Sequence, residues 1–240
     1  METPDTTALA RDLAPAGVLR ASVNLGNPVL AQGTPDAPRG VTVDLAGEIA
    51  RRLGLPVEFL CFDAARKSFE AMTTGRADLC FLAVDPARAA EVAFTAPYVH
   101  IEGVYAVPAE STLRTAEDVD RAGVRIGVKQ GSAYDLYLTR TLRHATVVRG
   151  PEGVDVFHAE ELEVAAGIRQ PLTAHLAERP ELRLVEPAFM TIRQAVGTTK
   201  ARQPETVRFL SETVADLAAS GFVAEALSRS GQDPALAACR

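Results

Sequence analysis

From about residue 19 onward, short apolar runs rich in β-branched and aromatic residues alternate with segments whose apolar positions repeat at helical spacing. This is the pattern of an α/β protein with largely parallel sheets. The first strand is predicted over 19–23. After a polar stretch rich in Gly and Pro, Thr42 is placed to cap a helix whose Leu45, Ile49 and Leu53 fall on one face and which Gly54 ends. A strand over 57–62, a short helix over 67–73 and a strand over 79–83 come next. Asp85-Pro86 then joins a capping residue to a first-turn proline and opens another helix.

The rhythm changes at 98–108, a mixed apolar and polar run that leads into Thr115-Ala-Glu-Asp, a capping-box pattern. A second α/β set follows. It comprises a strand over 124–128, the turn Lys129-Gln130-Gly131-Ser132, a helix capped by Ser132 to about Leu142, and a strand over 146–148. A helix over 154–161, an apolar run over 164–168, a helix after Pro171 and a strand over 182–185 complete it. The stretch 190–197 is a second extended crossing, and helices over 204–220 and 222–230 close the chain. If both extended runs cross between lobes, the first lobe comprises 1–108 and 187–240, and 109–186 is an inserted second lobe. Two strands joining two lobes make a hinge, and clefts between domains favour small ligands.

Composition narrows the function. At 240 residues, with 47% hydrophobic and 23% charged residues, the chain reads as an ordinary globular protein of one large or two modest lobes. A formal charge of -6 argues against a nucleic-acid partner. Cys61, Cys80 and Cys239 are odd in number and far apart, so free thiols are expected rather than a metal site or a disulfide framework. The N-terminus has acidic residues where a secretory leader needs basic ones, and no run of about 20 apolar residues spans a membrane.

The segment Leu79-Cys-Phe-Leu-Ala-Val-Asp-Pro-Ala-Arg88, with Val92-Ala-Phe-Thr-Ala-Pro-Tyr98 after it, resembles the family 3 bacterial extracellular solute-binding proteins, the polar amino-acid receptors of ABC importers. Gly40-Val-Thr-Val-Asp-Leu45, Gly127-Val-Lys-Gln-Gly-Ser132 and Ala219-Ser-Gly-Phe222 are similar to the same family, and the resemblance runs from about 19 to 230. It implies a type II periplasmic-binding fold: two lobes, each a mostly parallel sheet flanked by helices, joined by two crossover strands. It also implies a periplasmic monomer that closes on a small molecule and delivers it to a membrane permease, without metal or cofactor. By the same resemblance Arg88 clamps a ligand carboxylate, for which a guanidinium suits through two parallel hydrogen bonds. Asn24 and the backbone from Phe81 to Ala83 match other cleft-lining positions. The turn from Lys129 to Ser132, with Ala133 and Tyr134 after it, matches the second lobe's contribution, where a helix start can hold an anionic group. Ser132 serves equally as a plain N-cap, and Tyr134 either faces the ligand or packs on its own lobe.

The chain departs from the family in three places. No acid stands at the end of the 164–168 run to pair with a ligand ammonium; Arg169 stands there instead. Asn27 lies near the place of a stacking aromatic, and Val41 replaces another aromatic. Arg88, Lys129 and Arg169 together favour a ligand with two acidic ends over a zwitterionic amino acid, unless Arg169 faces solvent and Glu163 or Glu186 takes the pairing role. A dehydratase-like enzyme on the same fold is the alternative, with His158, Glu160 and Glu161 as acid–base candidates. The histidines His100, His144, His158 and His175 carry no metal-ligand spacing. A leaderless sensor or orphan binding domain is a third reading.

Overall fold

The computed structural model describes residues 6–238. The chain forms two compact units, Met1–His100 with Arg193–Arg240, and Ile101–Ile192.

The first unit opens with α1 (Thr6–Leu13), β1 (Leu19–Asn24), the hairpin β2 (Gln32–Thr34) and β3 (Ala37–Arg39), and α2 (Val41–Leu53). It continues through β4 (Val57–Phe62), α3 (Ala65–Thr73), β5 (Leu79–Ala83), α4 (Pro86–Ala89) and the start of β6 (Val92–Pro108). The second unit carries α5 (Ala116–Val119), β7 (Arg125–Lys129), α6 (Ala133–Thr141), β8 (Thr146–Gly150), α7 (Gly153–Ala159), β9 (Val164–Ile168) and α8 (Arg169–Leu176). The chain returns through β10 (Leu182–Thr199) and ends with α9 (Pro204–Ala219), α10 (Phe222–Arg229) and a 3₁₀ turn at Pro234–Leu236. No helix of the described residues is long and apolar enough to cross a membrane.

In the first unit β1 lies parallel to both β4 and β5, and the end of β10 runs antiparallel to β5 with Val196 opposite Phe81. In the second, β7 lies parallel to β8 and β9, and β6 runs antiparallel to β9 with Tyr105 opposite Ala166. β5 is buried along its whole length, which is why it reads as an unbroken apolar run rather than an alternating one. The sequence expectation of an α/β fold with mostly parallel sheets flanked by helices therefore holds.

Three expectations need correction. Thr42 does not cap α2; the cap is Gly40 at φ 112°, and a side chain there would meet the Leu30 carbonyl at 2.7 Å. Thr42 is instead buried in the first helical turn, its hydroxyl 3.4 Å from that of Tyr98. The Gly- and Pro-rich stretch after β1 holds the hairpin β2–β3, and a helix, α1, precedes the first strand. The stretches 182–185 and 190–197 belong to one strand, β10, which runs through Pro187; within it Phe189 stacks on Tyr105 at 4.2 Å between ring centroids. The two units divide within β6 and β10, whereas of the boundaries drawn from sequence 108/109 falls at the end of β6 and 186/187 within β10.

The predicted caps are present at Asp85, Thr115 and Ser132. Gly54 ends α2 in the left-handed conformation, satisfying the last carbonyls as a helix C-terminus requires. Cys61 and Cys80 are free thiols; Cys80 is buried and Cys61 half-buried, and Cys239 lies outside the described residues.

Candidate functional site

Arg88 sits on the one-turn helix α4, which follows β5 directly. Asp85 fixes the start of that helix by accepting a hydrogen bond from the Ala87 N–H at 2.9 Å, and Pro86 supplies the preset first-turn backbone. Arg88 is 3% exposed, and its guanidinium donates from Nη1 to the Ala83 carbonyl at 3.2 Å. Burial lowers its pKa to about 10, against the opposing pull of Asp85 and Cys80, so it remains a cation at neutral pH. The sequence thus places a buried, charged fork at the carboxyl end of a central strand, where open α/β sheets collect ligands.

The other first-unit candidates are engaged locally. Asn24 Oδ1 accepts from the Gly26 N–H at 3.0 Å, and Asn27, itself buried, accepts from the Val29 N–H at 3.3 Å. These side chains shape the turn after β1. Phe81 stands edge-on to the fully buried Tyr98 at 6.4 Å, and Ala83 is buried beside it on β5, contributing its carbonyl to Arg88.

In the second unit the turn after β7 is organised by a residue the sequence reading passed over. Asp135 is 4% exposed; it accepts from the Gly131 N–H at 2.8 Å and from Arg149 Nε at 3.0 and 3.1 Å, and its own N–H donates to Ser132 Oγ at 3.0 Å. The signal was present, since Ser132 and Asp135 stand three apart at a helix start. Gly131 takes φ 70°, a conformation other residues resist. Ser132 is therefore a working N-cap whose hydroxyl keeps its proton to donate. Ala133 begins α6, half-buried, and Tyr134 is buried, with contacts to the Ser132 side chain and the Lys129 backbone. Burial raises the Tyr134 pKa, so its hydroxyl stays protonated.

Of the three cations counted toward a doubly acidic ligand, the two in the second unit, Lys129 and Arg169, are ion-paired. Lys129 Nζ forms an ion pair with Glu152. Arg169, the first residue of α8, donates from Nε to Glu102 and from Nη1 and Nη2 to Glu186 at 2.5 and 2.8 Å. The hydrogen bonds to Glu186 raise the Arg169 pKa and lower that of Glu186. One guanidinium against two carboxylates leaves this trio with a net charge of -1. Glu163, the other acid considered for pairing, is taken by Arg125 on β7. Glu102 was hidden from sequence reasoning because it lies inside the long strand β6, far in sequence from Arg169. The acid–base candidate His158 faces His175 rather than Glu160 or Glu161.

Among the described residues, no group of three or more His, Cys, Asp or Glu is placed to hold a metal ion.

A family model for bacterial extracellular solute-binding proteins, family 3, matches residues 22–231. Solved structures share the fold across nearly the whole chain. A mutant of ArgBP from T. maritima is 19% identical, with 93% of this chain and 99% of that chain covered and a TM-score of 0.75. The cysteine-binding protein of Campylobacter jejuni is 20% identical over 93% and 92% of the two chains, with a TM-score of 0.75. A putative ABC-transporter binding component from Wolinella succinogenes, complexed with lysine, is 17% identical over 89% and 95%, with a TM-score of 0.74. No curated protein matches the chain.

Proposed function

Because the chain belongs to family 3 of the bacterial extracellular solute-binding proteins, we propose that it is the solute-binding component of an ABC-type importer and holds one small carboxylate-bearing molecule. The observation that carries this reading is Arg88: a residue 3% exposed, still charged, on the helix that follows the carboxyl end of β5. A guanidinium suits an ionised carboxylate through two parallel, charge-assisted hydrogen bonds. In the second unit the start of α6, with Ser132 and Tyr134, is the candidate ligand-contacting element. Delivery is to a membrane permease, from the periplasmic side, by a monomer. The role in this reading is binding rather than catalysis, as the family match supports.

The ion pairs bear on the ligand's other end. With Lys129 held by Glu152 and Arg169 outnumbered by Glu102 and Glu186, the second unit offers no unpaired positive charge from these residues for a second carboxylate. The net negative trio at the end of β9 favours an ammonium or another cationic group, so the ligand is an α-amino acid before it is a dicarboxylate. The binding of lysine by one neighbour and the name of another, a cysteine-binding protein, agree with this.

A thermal-shift panel of L-amino acids, dicarboxylates and monocarboxylates tests the assignment. Ligand at about 100 times its Kd adds roughly 2.7 kcal/mol, or about 5–10 °C for a chain of this size. Amino acids are expected to raise Tm. A response confined to dicarboxylates would overturn the amine assignment, and no response to any carboxylate would overturn the function.

A further inference from the structure

Two histidines that the sequence keeps 17 positions apart meet in the second unit. His158 lies near the end of α7 and His175 near the end of α8, and their Nε2 atoms stand 3.2 Å apart. The approach is set by packing. Val156 and Phe157 of α7 and Leu172 of α8 are buried in one apolar cluster, with Leu176 packed against it, so each helix presents its histidine from a fixed base. The Phe157 ring stands edge-on to His158 at 4.9 Å and limits its rotation. His158 is exposed and His175 half-buried, so the pair is open to solvent.

We propose that His158 and His175 form a chelating site for one first-row transition-metal dication such as Zn²⁺, Ni²⁺ or Cu²⁺. Imidazole nitrogens bind such ions at about 2.0–2.1 Å. Two nitrogens on one ion, at angles between octahedral and tetrahedral, then stand roughly 2.9–3.4 Å apart, a window that contains the observed separation. Asp155, three residues before His158, and Glu178, three after His175, add favourable charge around the pair, while Arg179 opposes it. With no third protein ligand close enough to complete a cage among the described residues, water fills the remaining positions. Affinity should then rise toward Cu²⁺, as the divalent series requires for nitrogen donors, and Mg²⁺, which prefers oxygen, should be ignored. The site is distinct from Arg88 and the α6 turn. Its occupancy ties α7 to α8 and so braces the second unit.

The test is isothermal titration of the untagged full chain with Zn²⁺, Ni²⁺ and Mg²⁺, together with Cu²⁺ electron paramagnetic resonance. The expected result is one Zn²⁺ or Ni²⁺ per chain and a copper spectrum with two nitrogen ligands. His158→Asn and His175→Asn should each weaken binding at least about tenfold, as loss of one of two imidazoles implies. Both variants should keep the wild-type circular dichroism spectrum. Undiminished metal binding in either variant, equal binding of Mg²⁺, or no binding by the wild type would overturn the site and leave the contact as a hydrogen bond between two tautomers.

Discussion

Asp78 stands at the entrance to β5, the strand whose far end delivers Arg88. Its carboxylate has no exposed surface and accepts four hydrogen bonds: from the Arg20 N–H at 3.0 Å, Arg20 Nε at 2.9 Å, Arg20 Nη2 at 2.7 Å and Arg202 Nη2 at 3.2 Å. The Asp78 carbonyl also accepts from Thr198 on β10, so one residue fastens three strands. Removing one partner of a buried ion pair costs about 3–5 kcal/mol because the remaining charge loses its counter-ion. Here the side chains of Arg20 and Arg202 keep 26% and 15% of their exposure, and water can partly replace the lost carboxylate. The expected loss for Asp78→Ala is therefore near the low end, about 3 kcal/mol, or roughly a 6–12 °C fall in Tm. Differential scanning calorimetry without added ligand reads it, with urea unfolding as a second measure. A loss below about 1 kcal/mol would show that solvent already screens these charges and would refute the anchoring argument.

Other consequences follow from the same geometry. Asp85→Ala removes the cap of α4 and should cost about 1 kcal/mol of stability. It should also weaken ligand binding by misplacing Arg88; unchanged affinity in titration calorimetry would separate the cap from the site. Converting Glu102 and Glu186 together to Gln turns the trio with Arg169 from -1 to +1, so the thermal-shift panel should move from amino acids toward dicarboxylates, and an unmoved profile would place the trio outside recognition. Glu48 is held down to about 2 from its ordinary 4.5, first by its hydrogen bond to Arg51 and then by Arg52. A depressed carboxylate contributes stability that is fully present above the unfolded value and disappears as pH falls through the folded one. Unfolding followed between about pH 4.5 and 2 should accordingly show a shallower acid loss in Glu48→Gln than in the wild type. Equal slopes would count against this contribution.

The fold was legible because its signals are local. Val57–Phe62, Leu79–Ala83 and Val164–Ile168 are apolar runs ended by turn residues, and Asp85, Thr115 and Ser132 announce helices through chemistry within three residues. Thr42 misled because a capping residue type stood inside the first turn of a helix that glycine actually begins, for a steric reason only the neighbouring Leu30 carbonyl reveals. The Arg88 position was readable from its motif, but its burial was not. The charge balance around Arg169 was only partly legible: Glu186 stood among the acids considered for a pairing role, but Glu102 did not. The residues that neutralise it, Glu102 and Glu186, lie on β6 and β10, and no spacing rule connects them to α8. His158 and His175 likewise meet only because their helices pack on one core.

The central claim is that the chain recognises a carboxylate through Arg88, and calorimetric titration of wild type, Arg88→Ala and Arg88→Lys with the panel's best ligand tests it most directly. Loss of two charge-assisted hydrogen bonds should weaken binding about 100-fold or more in Arg88→Ala. Arg88→Lys should recover only part of that loss, since an ammonium keeps the charge without the planar fork. Full affinity in a folded Arg88→Ala protein, or full recovery by lysine, would contradict the account.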